Sequence, residues 1–151
     1  MGAPSGALTD FFARALLQAL PAGRPTSPSG EASSRCPRCQ HPPQVGCLRQ
    51  RDEGQALELV CSLCLEPWPF QRLRCPACSE SDQARLAQFW TPEFEHLRLY
   101  ACESCRGYLP VVDLNRDPEA IPEVDELAGL PLDLWAREQG YRKLYPNLAG
   151  V

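Results

Sequence analysis

Four Cys-x-x-Cys pairs divide the middle of this chain: Cys36–Cys39, Cys61–Cys64, Cys75–Cys78 and Cys102–Cys105. No other feature restricts the possible folds so strongly. A Cys-x-x-Cys turn sets two sulfurs on one side of a tight knuckle. Two knuckles joined by a hairpin present four sulfurs in a tetrahedron, at about 2.3 Å from a bound zinc. A single pair would equally suit a thioredoxin-like redox motif, but that reading needs a βαβ context, which this sequence lacks. The intervals also repeat, with 21 residues between the first two pairs, 23 between the last two and ten between the second and third. Arg35-Cys36-Pro37-Arg38-Cys39 mirrors Arg74-Cys75-Pro76-Ala77-Cys78, and Leu59 to Cys64 mirrors Tyr100 to Cys105. A duplicated module explains both regularities. Pairing in sequence order gives one tetrathiolate site from Cys36, Cys39, Cys61 and Cys64, and a second from Cys75, Cys78, Cys102 and Cys105.

Nine cysteines do not imply disulfides here. The apolar run Ala13 to Leu20 contains Arg14 and Gln18 and follows Asp10, so it does not read as a secretory signal. No segment approaches the roughly 20 apolar residues of a membrane helix. Clustered thiols in a reducing cytoplasm are metal ligands more often than cystines. The formal charge of −4 is unevenly spread. Residues 35–108 are balanced, and the acidic excess lies in residues 109–151. Eight thiolates and two divalent ions would bring the total to about −8. The basic stripe of a nucleic-acid binder is missing from the sequence, which argues against that class.

The flanks are simple to read. Residues 9–20 suit a short helix, with Thr9 as N-cap and Phe12, Leu16 and Leu20 on one face that needs a packing partner. Pro21 to Ser34 is linker-like. Strands are expected at Val45–Leu48 and Ala56–Val60, at Ala84–Trp90 and Phe94–Tyr100, along the connector Trp68–Leu73, and at Tyr108–Leu114. Helices are expected from about Pro122 to Ala128 and from Pro131 to Gln139, with proline at the first position and Gly140 as the stop. Knuckles favour glycine just after the second cysteine, where φ turns positive. Here Gln40, Leu65, Ser79 and Arg106 stand there, at a cost of roughly 1–2 kcal/mol each that ligation can override. Cys47, in a strand, reads as a buried structural thiol rather than a redox or persulfide carrier. His41 and His96 fall near knuckles whose ligand sets are already complete. Four protein sulfurs leave no open coordination position, so hydrolytic metal catalysis is not expected, and no catalytic or organic-cofactor residues are identified.

The chain resembles the FdhE-type accessory proteins of formate dehydrogenase maturation. The resemblance rests on Cys36-Pro37-Arg38-Cys39, on Leu59-Val60-Cys61-Ser62-Leu63-Cys64-Leu65-Glu66-Pro67-Trp68, and on Arg72-Leu73-Arg74-Cys75. It continues through Cys102-Glu103-Ser104-Cys105-Arg106-Gly107-Tyr108-Leu109, Val124-Asp125-Glu126-Leu127-Ala128, Leu132-Asp133, Glu138-Gln139-Gly140-Tyr141 and Pro146-Asn147. It spans roughly residues 35–148. It implies a cytoplasmic, non-enzymatic factor that contacts the catalytic subunit of a molybdenum- or tungsten-dependent formate dehydrogenase. It also implies two metal ions, with iron preferred and zinc the alternative, since thiolate ligands accept either. Family members carry a large helical domain before the first pair. Only the 9–20 helix precedes it here, which implies a reduced form or a displaced start. Pro110 stands where the family has lysine.

The resulting expectation is a small metal-stabilised α+β protein. Residues 1–34 form a helix and linker, 35–70 and 71–113 form two tandem rubredoxin-like or zinc-ribbon modules, and 114–151 form an acidic helical C-terminal tail. The rival readings are a zinc-ribbon nucleic-acid or transcription-associated module and a rubredoxin-like electron carrier. The acidic tail is expected to help steer association with the client, through Asp125 and Glu126 among others.

Overall fold

The segments between and after the knuckles carry the apolar runs, and they pair as strands. A computed structural model describes residues 8–9, 11–13, 15–16, 33–51, 54–148 and 150. Strand β1 (Pro43–Arg51) pairs antiparallel with β2 (Gly54–Cys61), and β3 (Pro67–Phe70) adds to the far edge of β2. The second module repeats the plan with β4 (Leu86–Phe89), β5 (Leu97–Cys102) and β6 (Gly107–Asp113), all antiparallel. Short 3-10 turns at Gln83–Arg85 and Pro92–Phe94 replace the ends of the longer strands expected at 84–90 and 94–100. Pro92 opens the second turn and Asp82 caps the first, its side chain accepting from the Ala84 amide.

The two modules share one mixed sheet, in the order β3-β2-β1-β6-β5-β4. The first strand of the first module lies parallel to the third strand of the second, with Gly46, Cys47 and Leu48 opposite Val111, Val112 and Asp113. The repeat is therefore fused head to tail. Gly46 permits this closeness, because a Cβ there would meet Leu57 and Val111 side-chain carbons at 3.1 Å. A short strand β7 (Arg142–Lys143) occupies the same edge of β6 just before β1, opposite Gly107 and Tyr108. Pro110 lies at the junction between them. The Tyr108 carbonyl accepts from Leu144 and the Leu114 amide donates to Leu48, so alternate residues of β6 turn their backbone groups to this edge. Proline, which has no N–H, fits the one position on that edge with neither neighbour opposite.

Each face of the sheet has its own core. One gathers Val45, Cys47, Val60, Leu97, Leu99, Tyr108 and Val112 beneath Leu132, Ala136 and Tyr141. Helices α1 (Pro122–Ala128) and α2 (Leu130–Glu138) lie on this side, α1 touching β1 and β6. The other face gathers Leu48, Leu57, Leu59, Trp68, Phe70, Leu109 and Val111. The C-terminal segment is thus an integral layer, and its acidic character is partly internal. Glu126 and Asp133 are buried at 1% exposure each, and Asp125 bonds His96 at 3.0 Å. The expected use of Glu126 as a steering charge fails for this reason.

At the N-terminal side, Leu8, Thr9, Phe11, Phe12, Ala13, Ala15 and Leu16 are helical. The helical conformation already includes Leu8, ahead of the expected cap Thr9. Phe12 and Leu16 are exposed. The remainder of the expected helix and most of the linker lie outside the described residues. Among the described residues, no helix is long and apolar enough to cross a membrane.

Candidate metal centres

The head-to-tail sheet brings eight of the nine cysteines into two groups of four, paired in sequence order. Cys36, Cys39, Cys61 and Cys64 form one group, and Cys75, Cys78, Cys102 and Cys105 form the other. In each group the sulfurs lie within 4.8 Å of one another. In the first, Cys36 and Cys64 are 3.7 Å apart, Cys39 and Cys61 3.3 Å, and Cys39 and Cys64 3.6 Å. In the second, Cys75 and Cys105 are 3.8 Å apart, and Cys78 and Cys102 3.6 Å. Metal–sulfur bonds of about 2.3 Å in a tetrahedron set the sulfurs about 3.8 Å apart. The spacing therefore fits a four-coordinate soft metal and is far too long for disulfides, whose sulfurs sit about 2.05 Å apart.

The knuckles explain this geometry. In the first, the Gln40 amide donates to the Cys36 carbonyl and the Cys36 amide to the His41 carbonyl, both at 2.9 Å. In the third, Ser79 donates to Cys75 and Cys75 to Glu80 in the same pattern. Gln40, Leu65, Ser79 and Arg106 all have positive φ, between 55° and 65°. These are the four positions after the second cysteine of each pair, and they are the only described non-glycine residues with positive φ. Amides of Leu63, Ala77 and Gly107 approach the sulfurs of Cys61, Cys75 and Cys105 at 3.4 Å. Such bonds favour thiolate over thiol.

Burial works in the opposite direction. It pushes the Cys61 and Cys75 thiols well up, the neighbouring amides only partly offsetting it. At Cys102 burial also pulls upward, but amides of Cys105 and Ser104 together with the Cys78 sulfur outweigh it and lower that thiol. A bare cluster of buried thiolates would be costly, and a bound metal cation would supply the compensating charge. Cys47 is separate. It is 1% exposed on the helix-covered face, and burial, with Glu123 next, pushes its thiol up to about 12. That matches an inert core thiol. His41 directs Nδ1 at the Cys39 carbonyl, 3.2 Å away, and His96 faces Asp125.

The supporting contacts of two residues beside the fourth knuckle are not evident from the sequence. A Cβ on Gly107 would fall 3.0 Å from Leu144 Cδ1 and 3.2 Å from Cys105 Sγ, so this glycine allows both the sulfur contact and the docking of the strand-β7 segment. Its place one step beyond the knuckle was the available signal. Arg106 stacks its guanidinium over the Tyr141 ring at 3.9 Å, pairs with Glu103 and donates to the Gln139 carbonyl, fastening the C-terminal layer to the fourth knuckle. Gly107→Ala is expected to loosen the second group while sparing the first. Metal content measured by elemental analysis should fall from two equivalents toward one, and unchanged content would refute this.

The comparisons with known proteins point to one family. A family model described as FdhE, C-terminal domain, matches residues 73–149, the second module and the C-terminal layer. A "Protein FdhE homolog" of Aquifex aeolicus (strain VF5) is 31% identical over 116 residues, covering 76% of this chain and 41% of that protein. One of Pseudomonas aeruginosa is 37% identical over 123 residues, covering 78% and 40%. The crystal structure of the FdhE protein from Pseudomonas aeruginosa aligns with a TM-score of 0.70 at 38% identity, over 79% of this chain and 42% of that one. The chain spans about two fifths of the length of these relatives.

Proposed function

The chain belongs to the FdhE family, and from that premise we propose that it is a non-enzymatic accessory factor of formate dehydrogenase maturation that binds the catalytic subunit. The likeness across both modules to FdhE proteins carries this reading. In it, each group of four cysteines holds one metal ion: Cys36, Cys39, Cys61 and Cys64 the first, Cys75, Cys78, Cys102 and Cys105 the second. Iron is preferred over zinc on family grounds. The metals supply cross-links that hold the ribbons, and four sulfur ligands leave no position for a substrate. Ligand thiols are kept reduced in the cytoplasm, where the factor is proposed to act.

A binding role also needs a surface. The acidic residues of α1 and α2 offer less than expected, because Glu126 and Asp133 are internal. An apolar groove runs between the end of β4 and α2, lined by Phe89, Trp90, Phe94, Pro131, Leu132 and Trp135. Trp90 is 58% exposed and Trp135 36%. Exposed aromatic patches of this kind mark interaction sites, and tryptophan is enriched among residues that dominate binding energy.

Pull-down with the tagged full chain from cells making formate dehydrogenase tests the reading. The catalytic subunit is expected to co-purify. Trp90→Ala with Trp135→Ala is expected to weaken capture by tenfold or more, while metal content stays at two equivalents. Failure of co-purification, with full formate dehydrogenase activity in a deletion strain, would overturn the assignment. Tight salt-sensitive binding to DNA or RNA would favour the nucleic-acid reading instead.

A further inference from the structure

The two cysteine groups are related by an internal repeat, yet their surroundings differ. All four cysteines of the first group belong to, or pack against, the hydrophobic core on one sheet face, among Leu48, Leu59, Trp68 and Phe70. No cysteine of the second group belongs to either core. Cys75 and Cys102 are buried and line a cavity with Leu86, Leu109 and Leu144, but the rest of the second group is bordered by polar and charged side chains. Ser104 donates to Glu80 and accepts from Arg85, the Glu80 carboxylate also accepts from the Ser81 and Asp82 amides, and Arg106 pairs with Glu103. The repeat-equivalent sulfurs show the difference most directly. Cys39 is half-buried, whereas its counterpart Cys78 is exposed, the only exposed cysteine of the nine.

We propose that the second centre is an exchange site that gives up its metal to soft ligands from solution, with Cys78 the sulfur that leaves, while the first centre is a fixed structural one. This rests on the reading that both groups hold a metal. Exchange at a closed tetrathiolate needs an incoming ligand to reach the metal as one sulfur departs. At the first centre all four cysteines are buried or half-buried and pack with apolar side chains, which hinder approach and hold the departing cysteine in place. At the second, Cys78 lies at the surface on a knuckle that solvent can reach. Its thiolate can swing out and take a proton from water while the incoming donor forms the replacement bond. Cys75 and Cys102, buried at 4% and 2%, retain the metal meanwhile. Solvent access and surrounding dipoles also tune a metal–thiolate centre, so the two centres differ in their chemistry as well as in their rates.

The test uses the full chain loaded with two zinc ions, challenged in one arm with the chromophoric chelator 4-(2-pyridylazo)resorcinol. A second arm uses N-ethylmaleimide, with alkylated cysteines mapped by peptide mass spectrometry. In that reaction the Cys78 sulfur adds to the maleimide double bond, the zinc–sulfur bond breaks, and the carbanion takes a proton from water. One zinc equivalent is expected to leave at least tenfold faster than the other, and Cys78 is expected to be alkylated first, with release of that same equivalent. Cys78→Ser should keep the first zinc with its slow release unchanged and its tryptophan emission native. Release of both equivalents at one rate, or first alkylation at Cys36, Cys39, Cys61 or Cys64, would overturn the proposal. A chain that never takes up two zinc ions would instead overturn the two-centre reading beneath it.

Discussion

Stripping both metals from the reduced protein is expected to unfold it rather than merely empty it. Each module spans about forty residues, near the size below which an apolar core alone does not hold a fold. The first group shows why. Cys36 and Cys61 are fully buried members of a core that also contains Leu59 and Trp68. Four thiols crowded there gain little from one another, whereas a bound ion converts them into a cross-link joining the segment before β1 to the end of β2. Apparent binding energies are of order 10 kcal/mol for such structural sites, comparable to the whole stability of a small domain. Circular dichroism and the emission of buried Trp68 should report the loss during chelation, with recovery when metal is restored. Cys61→Ser should reproduce the loss in the first module and propagate, because β1 is hydrogen-bonded to β6 of the second. A chelated sample with native-like spectra would refute the coupling.

The knuckles were the most legible part of this protein, because their spacing is set by local bonding. Even the strain was readable, since Gln40, Leu65, Ser79 and Arg106 turned out to be the four described non-glycine residues with positive φ. The joining of the two ribbons was not read. Parallel pairing of β1 with β6 is a contact between distant segments, and no turn residue announces it. A signal did exist. Leu109 to Val112 is a continuous apolar run, and every residue of β6 is buried, as expected for a strand covered on both faces with neighbours on both edges. The C-terminal layer misled for a related reason. Counting charges places Glu126 and Asp133 in solvent, and only the fold reveals Lys143, on β7, between them.

That lysine leads to the second large effect. Lys143 lies between Glu126 and Asp133, with side-chain exposures of 5%, 0% and 2%. Gln44 and Asn147 each donate to Glu126 at 3.3 Å, and the Tyr108 hydroxyl donates to Asp133 at 3.0 Å. The network ties α1, α2 and β7 to β1 and β6, the two strands that fuse the modules. Replacing the lysine with methionine keeps most of the volume but leaves two carboxylates without their cation. Removing one partner of a buried ion pair costs about 3–5 kcal/mol, because the remaining charge is uncompensated. Lys143→Met is therefore expected to lower the urea midpoint sharply while the purified protein still binds two metals under native conditions. Adding Glu126→Gln to that variant removes one stranded charge while keeping an amide that can meet Gln44 and Asn147. The double variant should recover a substantial part of the loss. If Lys143→Met alone costs less than about 1 kcal/mol, in the range of an exposed pair, the cluster is solvated in practice and does not act as the clasp between the helices and the fused sheet.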